Sequence, residues 1–134
     1  MSTLITQTVQ SSTSAAPVFK NSSGTEKGQL VKAWANIETS TSTSPGGEKT
    51  INGSFNVSSC TDIDLGQHQV TFTSAFADAD YCVVATTGHN NMTSTANATA
   101  EVREIATTGF KIISEDVDAA YVDRDKLYIA VFGG

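Results

Sequence analysis

The stretch DIDLG, Asp62–Gly66, places two carboxylates two residues apart and follows them with a glycine. An oxygen-rich calcium loop opens in this way, because a hard cation needs several carboxylate and carbonyl oxygens on one tight turn. The glutamate that closes such a loop is missing at the required spacing. Asp bonds readily to nearby backbone and Gly accepts positive φ, so the same letters also make a hairpin turn. The spacing favours the turn. His68, His89, Cys60 and Cys82 make four possible zinc ligands. Their separations, Cys60 to His68 and Cys82 to His89, fit no compact zinc motif. Two cysteines are too few for a disulfide framework. They read as small buried hydrophobes, with a single bridge left open if their strands face each other.

Serine and aspartate abound, so a Ser–His–Asp set can be assembled on paper. No serine, however, lies in a nucleophile elbow or any similar signature. The acids Glu115, Asp116, Asp118, Asp123 and Asp125 could supply the carboxylate pair of a glycosidase. A run of acids between two strands is more simply a solvated loop. The N-x-Ser/Thr sequons at Asn21, Asn52, Asn56, Asn91 and Asn97 arise by chance in a chain this rich in Ser and Thr. The residues thus give an expectation of no catalytic group, no metal and no cofactor.

The elements that must position these side chains are strands. Ser and Thr make up roughly a quarter of the 134 residues, and only 16% are charged. Short hydroxyl side chains compete with the helical backbone for hydrogen bonds, while β-branched Thr suits a strand. INGSFNVSS at 51–59 alternates apolar and polar throughout, and HQVTFTS at 68–74 does so again, with His68 at the core's edge. LVKAWANI (30–37), YCVVATT (81–87), ATAEVREIA (98–106), GFKIIS (109–114) and KLYIAVFG (126–133) complete about seven short strands, the number and spacing of an antiparallel β-sandwich. Residues 60–67 read as turn. The expected core is Trp34, Phe55, Val57, Val70, Phe72, Val83, Ile112, Ile129 and Val131. YCVVATT and KLYIAVFG are apolar on both faces, so they should be central or covered by a second layer. A neighbouring copy would supply that cover, and a homotrimer is expected. Tyr121, in the acidic loop, is the exposed aromatic best suited to touch a ligand such as a host surface glycan.

Residues 1–29 differ in character. Leu4, Ile5, Val9, Val18 and Phe19 are their only large apolar residues, too thinly spaced for a core. Such a segment reads as an extended attachment arm that orders on a partner surface, by strand addition or by filling pockets. The domain is expected over residues 30–134. Net charge is −6, and the eight Lys and Arg are scattered singly. An acidic surface without a basic patch disfavours a nucleic-acid partner. No apolar run approaches the ~18 residues of a membrane helix, so no membrane insertion is expected. The N-terminus lacks a signal-peptide pattern, and synthesis in a cytoplasm is expected.

Several pieces carry a resemblance to a known family. They are the entry SSGTEKGQLVKAWANI, the strand FNVSS with its Asp/Gly turn, HQVTFTSAF followed by ADADYCVVAT, and the terminal YIAVFG. Together these resemble a domain of tail-fibre-like proteins of marine tailed bacteriophages, including those of cyanobacteria, over about residues 13–87 and 126–134. The resemblance implies a non-enzymatic virion structural protein, assembled in the host bacterial cytoplasm and partnered by other virion proteins of capsid, tail or adaptor. Its motifs are structural. Capsid decoration and a host-glycan-binding module stand beside the tail-fibre reading. Members of this family commonly carry apolar residues where Cys60 and Cys82 lie, which implies buried free thiols.

Overall fold

A computed structural model describes residues 18–40, 45–90 and 98–133 of the protein. Among them every regular element is a strand: β1 Val18–Lys20, β2 Glu26–Gln29, β3 Ala33–Glu38, β4 Thr50–Phe55, β5 Val57–Asp64, β6 Gln67–Phe72, β7 Tyr81–Gly88, β8 Ala98–Ala106, β9 Gly109–Asp116 and β10 Lys126–Gly133. The chain divides between Leu30 and Val31. Ahead of that point β1 and β2 pair as an antiparallel hairpin. Asn21 ties its turn, the side-chain oxygen accepting from the Ser23 and Thr25 amides at 3.1 and 2.8 Å. Phe19 on β1 is exposed. Leu4, Ile5 and Val9 lie outside the described residues.

The second unit is an all-antiparallel β-sandwich of two four-stranded sheets, ordered β4-β3-β10-β7 and β5-β6-β9-β8. Successive strand residues point to opposite faces, and the inward set of both sheets forms one core. The first sheet contributes Ala33, Ala35, Ile37, Tyr81, Leu127, Ile129 and Val131. The second contributes Val57, Cys60, Val70, Phe72, Phe110 and Ile112. Val83 is half-buried and packs against this cluster. At one end Phe72 stacks on Phe76 with ring centres 4.4 Å apart, and Tyr81 meets both rings edge-on. The Tyr81 hydroxyl reaches the Ala106 and Gly109 carbonyls at 2.9 and 2.8 Å, which satisfies its polar end inside the core.

Four sequence expectations are corrected here. The run 51–59 is two strands in different sheets. Asn56 breaks it with a φ of 55°, a left-handed value that Asn tolerates better than most residues. Its side chain bridges Ser74, accepting from the amide at 2.8 Å and donating to the carbonyl at 3.2 Å, which fixes the corner. Residues 60–64, read as turn, continue β5, and only Leu65–Gly66 turn. The apolar strand β7 is an edge strand, not a central one; its Tyr81, Val83 and Ala85 side packs against the core as the second alternative had it, while Cys82, Val84 and Thr86 face out. Lastly, Trp34 and Phe55 are not core residues. Trp34 shares a face with Asn36, opposite to Ala33, Ala35 and Ile37. Phe55 is its cross-strand partner and points out with it.

Candidate interaction face

The outward side of the first sheet can be read row by row from the strand register. Trp34 on β3 lies between Phe55 on β4 and Ala130 on β10, and Ala130 in turn opposes Val84 on β7. The next row runs Gly53, Asn36, Tyr128, Thr86. On the other side Phe132 opposes Cys82. Exposure of the large members is 43% for Trp34, 56% for Phe55, 59% for Val84, 40% for Tyr128 and 36% for Phe132. None of these positions carries a charge. Charges border the face at both ends: Lys32, whose amide donates to the Val131 carbonyl at 2.8 Å, precedes Trp34 by two residues, and beyond the Tyr128 row Glu38 opposes Lys126, an ion pair in which Lys126, and then Ser40, hold the Glu38 carboxyl below its usual range.

Two glycines shape this face. A Cβ at Gly53 would meet the Trp34 ring at 3.5 Å, and one at Gly88 would meet the Tyr128 ring at 3.2 Å. The missing side chains let both rings extend over the neighbouring strand. The outward side of the second sheet is different: its register carries the row Thr61, Gln69, Lys111, Arg103. One sheet therefore shows solvent a polar face, and the other a contiguous aromatic and aliphatic one. Isolated exposed apolar residues are ordinary on a surface, but a contiguous patch marks an interaction site. Sequence reading located the apolar excess of β7 and β10. It missed that Trp34 and Phe55 belong with it. The available signal was parity: Trp34 is an odd number of residues from Ile37, so the two cannot share a face of one strand.

Among the residues weighed for chemistry, Cys82 lies on this face, and Asp62 and His68 are cross-strand neighbours on the inward side of the second sheet. The Asp62 carboxylate is buried and paired with Lys49 at 2.9 Å. Asp64 accepts from the Leu65 amide at 2.8 Å, and Asp123 from the Gly66 amide at 2.7 Å. Asp116 accepts from the Asp118 and Ala120 amides, holding the loop that ends at the exposed Tyr121. His89 has Nδ1 3.3 Å from Asp125 and Nε2 2.9 Å from an Arg124 guanidinium nitrogen. Arg can only donate, so Nε2 accepts and the proton sits on Nδ1. Both ring nitrogens thus have side-chain partners. His68 lies fully inside the core, not at its edge. Cys60 is buried and its thiol is pushed up to about 12, chiefly by burial, which keeps it protonated and inert. Cys82 is exposed on the aromatic face, contrary to the expectation of two buried thiols, and both are free. Among the described residues no group of three or more His, Cys, Asp or Glu is placed to hold a metal ion.

Comparison with known proteins adds a likeness of fold. The phiAB6 tailspike, solved in complex with three-repeated oligosaccharides of Acinetobacter baumannii surface polysaccharide, matches with a TM-score of 0.50 at 15% sequence identity. The match covers 96% of this chain and 30% of that one. The chain thus shares its architecture with part of a phage tailspike and spans under a third of that protein's length. No family model matches the chain, and no curated protein does.

Proposed function

We propose that this protein is a non-enzymatic structural module of a bacteriophage particle, a tail-fibre-like or surface appendage that assembles as a homotrimer and attaches through its N-terminal arm. The observation that carries this reading is the uncharged aromatic face of the first sheet. In a chain of net charge −6, copies that meet through a charged surface repel one another. A patch of Trp34, Phe55, Val84, Tyr128 and Phe132 avoids that repulsion and gains from desolvation. The fold shared with part of a tailspike and the sequence resemblance to tail-fibre domains support the setting. Capsid decoration is separated from a tail position by copy number: on the order of hundreds per particle for decoration, about a dozen to twenty for a tail part. Deleting residues 1–19 should leave a folded domain that no longer joins particles. Incorporation of the truncated chain at wild-type copy number would transfer the anchoring role to the sandwich itself.

The face itself is tested separately. Val84→Lys puts a charge at the edge-strand end of the row Phe55, Trp34, Ala130, Val84. Val84 is mostly exposed, so the melting transition should stay within about 0.5 kcal/mol of wild type. Light scattering should change from trimer to monomer, and the Cys82 thiol, shielded in the assembly, should become open to a maleimide. A wild-type protein that is monomeric at all concentrations removes the assembly reading. A second reading, a host-glycan site, draws on the same aromatics, because sugar rings stack on Trp and Tyr. Trp34 is the sole tryptophan, so quenching of its fluorescence by host-surface oligosaccharide, with no change in subunit number, would favour that reading.

A further inference from the structure

His68 occupies the inward face of β6 and is 2% exposed, and neither ring nitrogen has a hydrogen-bond partner among the described residues. Buried polar groups are nearly always partnered, so an imidazole without partners in a core calls for an explanation. Its cross-strand neighbours are Asp62 on β5 and Ile112 on β9. The Asp62 carboxylate is already engaged. Lys49 places its ammonium 2.9 Å from Asp62 Oδ2 and donates to the Thr39 carbonyl at 2.9 Å. Residues 46–49 run as a strap along the edge of β5. The Gly46 amide donates to Asp62 O at 2.7 Å, the Asp62 amide to Gly47 O at 2.8 Å, and the Lys49 amide to Cys60 O at 2.8 Å. The strap thus carries one cation into the core and β5 carries one anion to meet it. The charged groups that act on His68 are Lys49 from the strap, Asp62 from β5 and Asp123 from the segment before β10; β9 offers only the apolar Ile112 in this row.

We propose that the His68–Asp62–Lys49 cluster is an acid-triggered release: uptake of a proton by His68 places a second cation beside the buried Lys49–Asp62 ion pair, and the strap and the β5–β6 end of the sandwich open. The charged imidazole would have no acceptor of its own in the folded state, whereas water solvates it in the open one. Burial, and then Lys49, hold His68 below its ordinary value, with Asp62 and Asp123 acting in the opposite sense. The folded value therefore lies below the unfolded value of about 6.5. Stability from this group is fully present above pH ~6.5 and is lost as pH falls from there towards the folded value. Over that window the unfolding equilibrium constant rises by up to about tenfold per pH unit, the limit for one proton.

The test uses the full chain. Urea unfolding of wild type, His68→Phe and His68→Leu is measured between about pH 8 and 5, with amide exchange of Gly46, Lys49 and Asp62 followed in parallel. Wild type should lose folding stability as pH falls below about 6.5, by at most about tenfold in the folding equilibrium per pH unit, and the strap amides should lose protection before those of β10. Both variants should lose most of that dependence. Variants that keep the full wild-type acid slope would assign it to the carboxylates and overturn the proposal. Should neither variant fold, an NMR titration of the wild-type imidazoles decides. A His68 ring that stays neutral until the strap amides exchange supports the release, and one that titrates with an ordinary midpoint while those amides stay protected overturns it.

Discussion

Lys49→Met is expected to lower the stability of the sandwich by about 3–5 kcal/mol, a large part of what a domain of this size possesses. The Lys49 side chain is 0% exposed and that of its partner Asp62 only 6%. Taking two charges out of water costs several kcal/mol each, and the mutual attraction at 2.9 Å, with the added bond to Thr39 O, offsets that cost. Removing the ammonium leaves the Asp62 carboxylate in the core without its cation, while the desolvation cost of the anion remains. The strap then loses its inward anchor, although its backbone bonds to β5 persist. Asp62→Leu should be as damaging, because it strands the ammonium. The double variant Lys49→Met/Asp62→Leu should recover most of the loss, since well-packed apolar residues often replace a buried pair without penalty. Urea midpoints of the four proteins give the cycle directly. A Lys49→Met variant within about 1 kcal/mol of wild type would mean that the pair is solvated.

Gly109→Ala is expected to abolish folding or to cost more than about 3 kcal/mol. Gly109 opens β9 after the Thr107–Thr108 turn with a φ of 153°, a region closed to residues with a Cβ. An added Cβ would land on the Val70 carbonyl oxygen and lie 3.1 Å from the Thr71 Cα. Both belong to the backbone of β6, so no rotamer change relieves the clash. β9 would have to move off β6, and Gly109 pairs with Thr71 on that side and Ala106 on the other. Its carbonyl also receives the Tyr81 hydroxyl, so the shift would reach the Phe72–Phe76–Tyr81 cluster. Gly53→Ala is the control, because its Cβ meets only the Trp34 side chain, at 3.5 Å. Soluble expression and thermal melts should separate the two variants. A Gly109→Ala protein that melts like wild type would show that β6 and β9 can part locally.

Much of the fold is a direct consequence of the sequence. Alternation in HQVTFT, the paired apolar runs around Thr107–Thr108 and the β-branched composition are local properties, and a strand's period of two projects them onto one face with no knowledge of its neighbours. The antiparallel sandwich and the extents of β7, β8 and β10 follow from them. Placement of the aromatic face does not. INGSFNVSS looks like one strand with Ile51, Gly53, Phe55 and Val57 on one side, yet Asn52 is an extra residue in the pairing of β4 with β3. A bulge of this kind flips every side chain beyond it, and the left-handed Asn56 then passes the chain to the other sheet. Phe55 is turned out and Val57 in. Whether Asn56 adopts that conformation depends on its bonds to Ser74, 18 residues away. The same holds for Lys49, which composition places on the surface. It is drawn inside because β5 carries Asp62 on its inward row, and only the assembled sandwich brings that carboxylate, Thr39 and His68 to one point.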